Sequence, residues 1–253
     1  MRNVIATMGG YEQGWTRHNR EGNHRDYQKE AERLLASATK FGLECYIYNN
    51  EYIKSCSHYK NNEFLLDQVS FGFAYKAICL YDTLQMIDAG DVVLLVDSNH
   101  VIAEYPNLFI DIARANDICT RDHIWTYYPN KNWTRRDTFI NMNCDTERYW
   151  NAPQMQGNLI GAMKSEFSLR FVREFLDYSL NYDVMFGRDV HPNFPEYIDH
   201  RHDQSILSIL REKYGIPYFN RTANVGAEYI IPELEIIQPQ TIIDNSHLRD
   251  IRI

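Results

Sequence analysis

With 253 residues the chain is long enough for one large α/β domain or two small ones, and no Pro/Gly-rich or charged linker divides it. Hydrophobic residues are 44 % and charged residues 24 %, the balance of a globular protein, while a net charge of -8 argues against a protein that coats nucleic acid. No apolar run of about 18 residues is present to span a membrane, and the first ten residues lack the apolar length of a signal peptide. The five cysteines (Cys45, Cys56, Cys79, Cys119, Cys144) are scattered and show no CxxC spacing, so neither a disulfide framework nor a zinc site is expected and a cytoplasmic location is.

In chain order, Asn3 to Thr7 reads as a short apolar strand broken by Gly9-Gly10, followed by a polar loop to about Asn23. Apolar residues then recur at helical spacing from His24 to Phe41, with Asn23 as the N-cap and Gly42 as the stop, and Leu43 to Tyr48 reads as a second strand. A second helical pattern between Phe71 and Asp88 puts Phe73, Ala77, Leu80, Tyr81, Leu84 and Ile87 on one face. It leads into the run Gly90-Asp91-Val92-Val93-Leu94-Leu95-Val96-Asp97-Ser98-Asn99-His100. A third helix is expected over Glu104 to Ala115, starting near Pro106. Residues 118–150 mix short apolar runs with polar turns and receive only a loose assignment. Leu159 to Met163 reads as a strand, Ser165 to Tyr182 as a helix capped by Ser165, and Asp203 opens a last helix ending near Gly215. Short strands are expected between Gly226 and Ile237, and the tail closes with Asp244-Asn245-Ser246-His247-Leu248-Arg249.

Strands alternating with helices define an α/β chain: one mixed, mostly parallel sheet flanked by helices. The whole of 1–253 is expected to form a single domain of two halves, 1–100, which opens as a nucleotide-binding α/β unit, and 101–253. The run ending at Val96 reads as a strand buried on both faces, and ligands of open α/β sheets bind at the carboxyl ends of strands. On an extended backbone Asp97 and Asn99 project to one side and can offer oxygen ligands to one hard cation, Mn²⁺ or Mg²⁺. A polar turn ending a strand accounts for the same residues equally well. His100, next in line, is expected to point the other way.

The order of motifs is similar to that of the glycosyltransferases of the A-type fold. The motifs are a helix with Tyr75-Lys76, the strand ending at Asp97-Ser98-Asn99, then Gln156-Gly157-Asn158-Leu159-Ile160, then His202-Asp203-Gln204. In that superfamily an Asp-x-Asp motif at a strand end binds Mn²⁺ or Mg²⁺, which bridges the diphosphate of a nucleotide sugar. The resemblance implies a metal-dependent transferase that takes a sugar from a nucleotide diphosphate sugar, UDP-linked, to a hydroxyl of a glycan or glycoprotein. It implies that Thr7 and Tyr11 contact the base, that Lys76 meets the diphosphate or sugar hydroxyls, and that Asp97-Ser98-Asn99 holds the cofactor. Asp97, Asn99 and the tail's His247 are the metal candidates, and Asp203 with Gln156 faces the donor sugar or acceptor hydroxyl. Asp203-Gln204 resembles a pair found in many retaining families, which favours retention over inversion. An acid there also serves as a helix N-cap.

Asn99 departs from the commoner second Asp: an amide remains an oxygen donor but removes one charge, so the ion is expected to bind more weakly without its substrate. Two alternatives stand beside the transferase. One is a non-catalytic nucleotide-sugar-binding module, which Asn99 favours. The other is a haloacid-dehalogenase-like phosphatase, which also ends a strand in Asp-x-Asp but needs an acid where Asn99 stands.

Overall fold

The computed structural model describes residues 1–9, 27–58, 60, 62, 73–122 and 128–217, together with the backbone of 234–236. Tyr11 and His247 therefore lie outside the described residues.

The central sheet has the order β2-β1-β3-β6-β5, built from β1 (Asn3–Met8), β2 (Glu44–Tyr48), β3 (Val92–Val96), β5 (Ile118–Asp122) and β6 (Met155–Met163). β1 pairs in parallel with both β2 and β3, and β6 runs antiparallel to β3 and β5, so four strands point one way and one against them. This is the mixed, mostly parallel α/β sheet that the alternation of strands and helices predicts. A two-stranded antiparallel ladder joins β4 (His100–Ile102) to β7 (Leu234–Ile236).

Ten helices are described: α1 (Tyr27–Thr39), α2 (Asn50–Ser55), α3 (Tyr75–Met86), α4 (Asn107–Asn116), α5 (Asn130–Trp133), α6 (Arg136–Asn141), α7 (Glu147–Trp150), α8 (Glu166–Ser179), α9 (Tyr182–Met185) and α10 (Asp203–Tyr214). One face of the sheet packs on residues of α3, α8 and α10, including Ile78, Leu80, Phe171, Phe175, Ile206 and Leu210. The other packs on α1 and α4 through Leu34, Ala38, Phe109 and Ala113. Residues of β3 alternate between the two cores, which is why Val92–Val96 is apolar throughout. None of the described helices is long and apolar enough to cross a membrane.

Most expected elements form, with shifts that have local causes. α3 starts at Tyr75 because Phe73 sits at φ 58, outside helical space. Gly42 and Gly215 end α1 and α10 at positive φ, as C-terminal glycines do. Ser165 caps α8 in a reciprocal bond with Ser168. The helix stops at Ser179, short of the expected Tyr182, because the Asn181 side chain accepts from the Asp183 and Val184 N–H groups and opens the separate turn α9. The described residues of 118–150 form β5 and three short helices, and of the strands expected within 226–237 the described residues contain β7.

The largest correction concerns β6, which begins at Met155 and not at Leu159. Its first residues escape an apolar-run reading because Gln156, Gly157 and Asn158 are polar or small. The ladder to β5 is also broken there: Thr120 faces Ile160 while the next residue, Arg121, faces Gln156, leaving 157–159 bulged out. Bulges gather beside active sites, where they redirect backbone groups.

Candidate active site

At the carboxyl end of β3 the polypeptide gathers one buried cation and two carboxylates. α3 is buried almost all round, so Lys76 in its first turn has no route to solvent and its side chain runs inward at 5 % exposure. The Lys76 ammonium lies 2.8 Å from Asp97 Oδ1 and 3.4 Å from Asp203 Oδ2, and donates to the Gly157 carbonyl at 2.7 Å. The ammonium also lies over the Phe73 ring, 4.8 Å from its centroid. Asp97 is about a third exposed, whereas Asp203 is buried at the head of α10.

The bulge in β6 supplies the backbone contacts. Gly157 turns its carbonyl to Lys76 and its N–H to Gln204 Oε1 at 3.3 Å, and the Asn158 carbonyl accepts the Asp97 N–H at 3.1 Å. A Cβ at residue 157 would stand 3.0 Å from Asp203 Oδ2 and 3.5 Å from Gln204 Cβ. Glycine is thus what lets the strand approach the head of α10. Gly157→Ala is expected to destabilise by about 1–3 kcal/mol through overpacking and to displace Asp203 from Lys76. Urea denaturation checks the first effect and a crystal structure of the variant the second.

Charge and burial oppose each other here. Burial favours neutral lysine, yet the Asp97 and Asp203 charges outweigh it and hold the Lys76 pKa above its ordinary value. Burial pushes the Asp203 carboxyl up to about 6, the Lys76 ammonium opposes that rise, and the Asp97 charge adds to it. A buried acid that titrates near neutrality is suited to giving or taking a proton.

The other candidates fall in different places. Asp97 and Asn99 do not lie on an extended backbone. The chain turns at the end of β3, with the His100 N–H bonded to the Asp97 carbonyl at 3.1 Å, and the Asn99 amide oxygen meets His100 Nδ1 at 2.9 Å. The acceptors around Nδ1 place the ring proton there, and burial holds the His100 pKa down to about 4, so the imidazole is neutral at neutral pH. Ser98 donates to Glu30 Oε2 at 3.2 Å and so faces α1, away from Lys76. Thr7 is buried on β1 and Gln156 sits beside Arg121 across the β5–β6 ladder; among the described residues neither the Thr7 hydroxyl nor the buried Gln156 Oε1 has a hydrogen-bond partner. Reading the sequence alone named Gly157 and Gln204 within motifs but gave neither a contact of its own. A glycine inside a strand pattern was the available signal, since it marks a bulge or close backbone approach.

Among the described residues no group of three His, Cys, Asp or Glu side chains is placed to hold a metal. A Mg²⁺-like ion that keeps its waters and shares its coordination with substrate phosphates needs only one or two protein carboxylates. The partly exposed Asp97 meets that requirement, whereas the Asn99 amide oxygen is engaged by His100 Nδ1.

No protein-family model matches this chain, and no curated protein matches it. Among solved structures it is similar to a glycosyltransferase involved in the glycosylation of the major capsid of PBCV-1, at 12 % identity and a TM-score of 0.38 over 78 % of this chain and 81 % of that one. It is also similar to mouse xyloside xylosyltransferase 1 in its apo form, at 8 % identity and a TM-score of 0.44 over 87 % and 85 % of the two chains. Likeness of this order carries no function across, and what the chain does is read from its own site.

Proposed function

We propose that the chain is a metal-dependent glycosyltransferase that passes a sugar from a UDP-linked nucleotide sugar to a hydroxyl of a glycan or glycoprotein, with retention. The observation that carries this reading is the Lys76 ammonium set between Asp97 and Asp203 at the carboxyl end of a parallel strand, where ligands of open α/β sheets bind. Residues 1–100 serve the nucleotide and 101–253 the acceptor. Asp97 would hold Mn²⁺ or Mg²⁺, joined by Asn99 once released from His100 and by His247, and the bound ion would neutralise charge on the diphosphate as a Lewis acid.

The chain's own residues do the rest. Lys76 is a desolvated cation whose three donors face Asp97, Asp203 and the Gly157 carbonyl, so it reaches a diphosphate or sugar hydroxyl by exchanging its partly exposed partner, Asp97. In same-face transfer the bond from the anomeric carbon to the phosphate oxygen breaks, the bond to the acceptor oxygen forms, and the acceptor proton passes to the departing phosphate. Asp203 orients the sugar or acceptor hydroxyl beside that exchange, and Gln204, braced on the Gly157 N–H, stands next to it. Asn99 and the engagement of Asp97 by Lys76 favour one second reading, a nucleotide-sugar-binding module without turnover.

Calorimetry with UDP and UDP-sugars in Mn²⁺ tests binding, and UDP release with an acceptor separates enzyme from module. Asp97→Ala is expected to weaken Mn²⁺-dependent UDP binding at least about tenfold, or 1.4 kcal/mol, and to remove transfer. Donor hydrolysis and transfer left intact by that substitution would sink the transferase reading.

A further inference from the structure

The residue before Asp203 has a backbone conformation that its side chain disfavours. His202 sits at φ 46 and ψ −109, and the Gln204 N–H bonds back to the Arg201 carbonyl at 3.0 Å. That is the first central position of a type II′ turn, where glycine is the ordinary occupant because a Cβ crowds the backbone. Strain of this kind persists when surrounding contacts over-determine it, and it clusters at functional sites.

The surrounding contacts here are two imidazoles. His202 Nδ1 donates to the Met185 carbonyl at 2.8 Å, and its ring packs on Phe186 and His200 with centroids 5.2 Å and 4.7 Å away. His200 is buried and held from both sides: its Nδ1 accepts the Arg135 N–H at 3.4 Å, and its Nε2 donates to the Val184 carbonyl at 3.2 Å. The segment entering α10 thus hangs on the carbonyls of α9. From the other side Ser205 Oγ accepts the Arg201 N–H and donates to the Trp133 carbonyl. Between these anchors the turn at His202 leads into Asp203, whose Oδ2 lies 3.4 Å from Lys76 Nζ and would stand 3.0 Å from a Cβ at residue 157.

We infer that His202 is a positioning residue, whose imidazole, tied to the Met185 carbonyl, holds the 201–204 turn in a glycine-like form that directs the Asp203 carboxylate onto Lys76. The kinetic consequence rests on the transferase reading; the spectroscopic one does not. Glycine adopts this turn without help, whereas alanine neither favours it nor can be tied to Met185. The expected order is therefore the reverse of what a mere packing role gives, since glycine fills the space least.

The test records the ¹⁵N-edited ammonium signal of Lys76, assigned with Lys76→Met, in the wild type, His202→Gly and His202→Ala. The wild type and His202→Gly should show the same slowly exchanging signal, and His202→Ala should shift or lose it. If transfer is measurable, kcat should fall about tenfold to a hundredfold in His202→Ala through misplacement of Asp203, with KM nearly unchanged and His202→Gly close to wild type. Should His202→Ala fail to fold, His202→Asn replaces it, because Asn visits positive φ more readily than Ala; its signal should then be perturbed more than that of His202→Gly. A Lys76 signal unaltered in the alanine or asparagine variant, absent from the wild type, or damaged equally in the glycine variant overturns the assignment. Absence of transferase activity with the expected signal order would instead leave His202 in place and remove only the functional reading.

Discussion

Lys76→Met should lower stability at pH 7 by about 3–5 kcal/mol, the usual cost of removing one partner from a buried ion pair. Methionine keeps most of the stem, so the loss is electrostatic: Asp203 remains buried with no cation, and the Gly157 carbonyl loses its donor. The Asp97 side contributes little, because that carboxylate is about a third exposed and water takes over part of the role. Two comparisons isolate the cause. Lys76→Met combined with Asp203→Asn should recover most of the loss, since no uncompensated charge is then buried. The single variant should also lose less at pH 5, where Asp203 accepts a proton. Guanidinium denaturation of the three proteins at the two pH values measures this, and a single-variant loss below about 1 kcal/mol, the range of exposed pairs, would mean that Lys76 does not sit in the buried site.

Asp203→Asn should change the pH dependence of stability and remove catalysis. The folded carboxyl titrates at about 6 against an ordinary value of 3.8, because burial penalises its charge. A folded pKa above the unfolded one means that the group's stabilising contribution is complete below the unfolded pKa and is lost as pH rises through the folded one. Wild type should therefore lose up to about 3 kcal/mol relative to the asparagine variant between pH 4 and pH 7, at 1.36 kcal/mol per pKa unit. Lys76 does not disturb that window, since its raised pKa keeps it charged throughout. The attraction between Asp203 and Lys76 is already contained in that folded pKa, because the Asp203 charge exists only above it. Urea titrations of both proteins from pH 4 to 7.5 give the difference curve, and a flat curve would contradict the buried carboxylate. Transfer by the variant should fall about a hundredfold, the scale of a misplaced reacting hydroxyl.

How much of this site was visible before folding depends on the kind of signal each part carries. Val92–Val96 is apolar on both faces and ends at Asp97, so both the strand and the carboxylate at its end could be read from one run of residues. Asp203 was legible as the acid opening a helix, and Lys76 as a basic residue one helix before the strand. Their meeting was not, because 21 residues separate Lys76 from Asp97 and 106 separate Asp97 from Asp203 in the sequence, and no periodicity reports a contact across such distances. The expectation that Asp97 and Asn99 share one side assumed an extended strand, whereas the turn to His100 sends Asn99 elsewhere.

The sequence by itself determined the alternation of strands and helices, the apolar central strand, the serine cap of α8 and the glycine stops of α1 and α10, since each follows from side-chain period, capping chemistry or allowed φ within a few residues. Only the tertiary structure decided that β6 bulges at Gly157, that Lys76 is a buried ion between two carboxylates, and that a histidine takes a glycine's conformation before Asp203. Those outcomes balance desolvation, strain and close approach among four segments, and no local window of residues contains that balance.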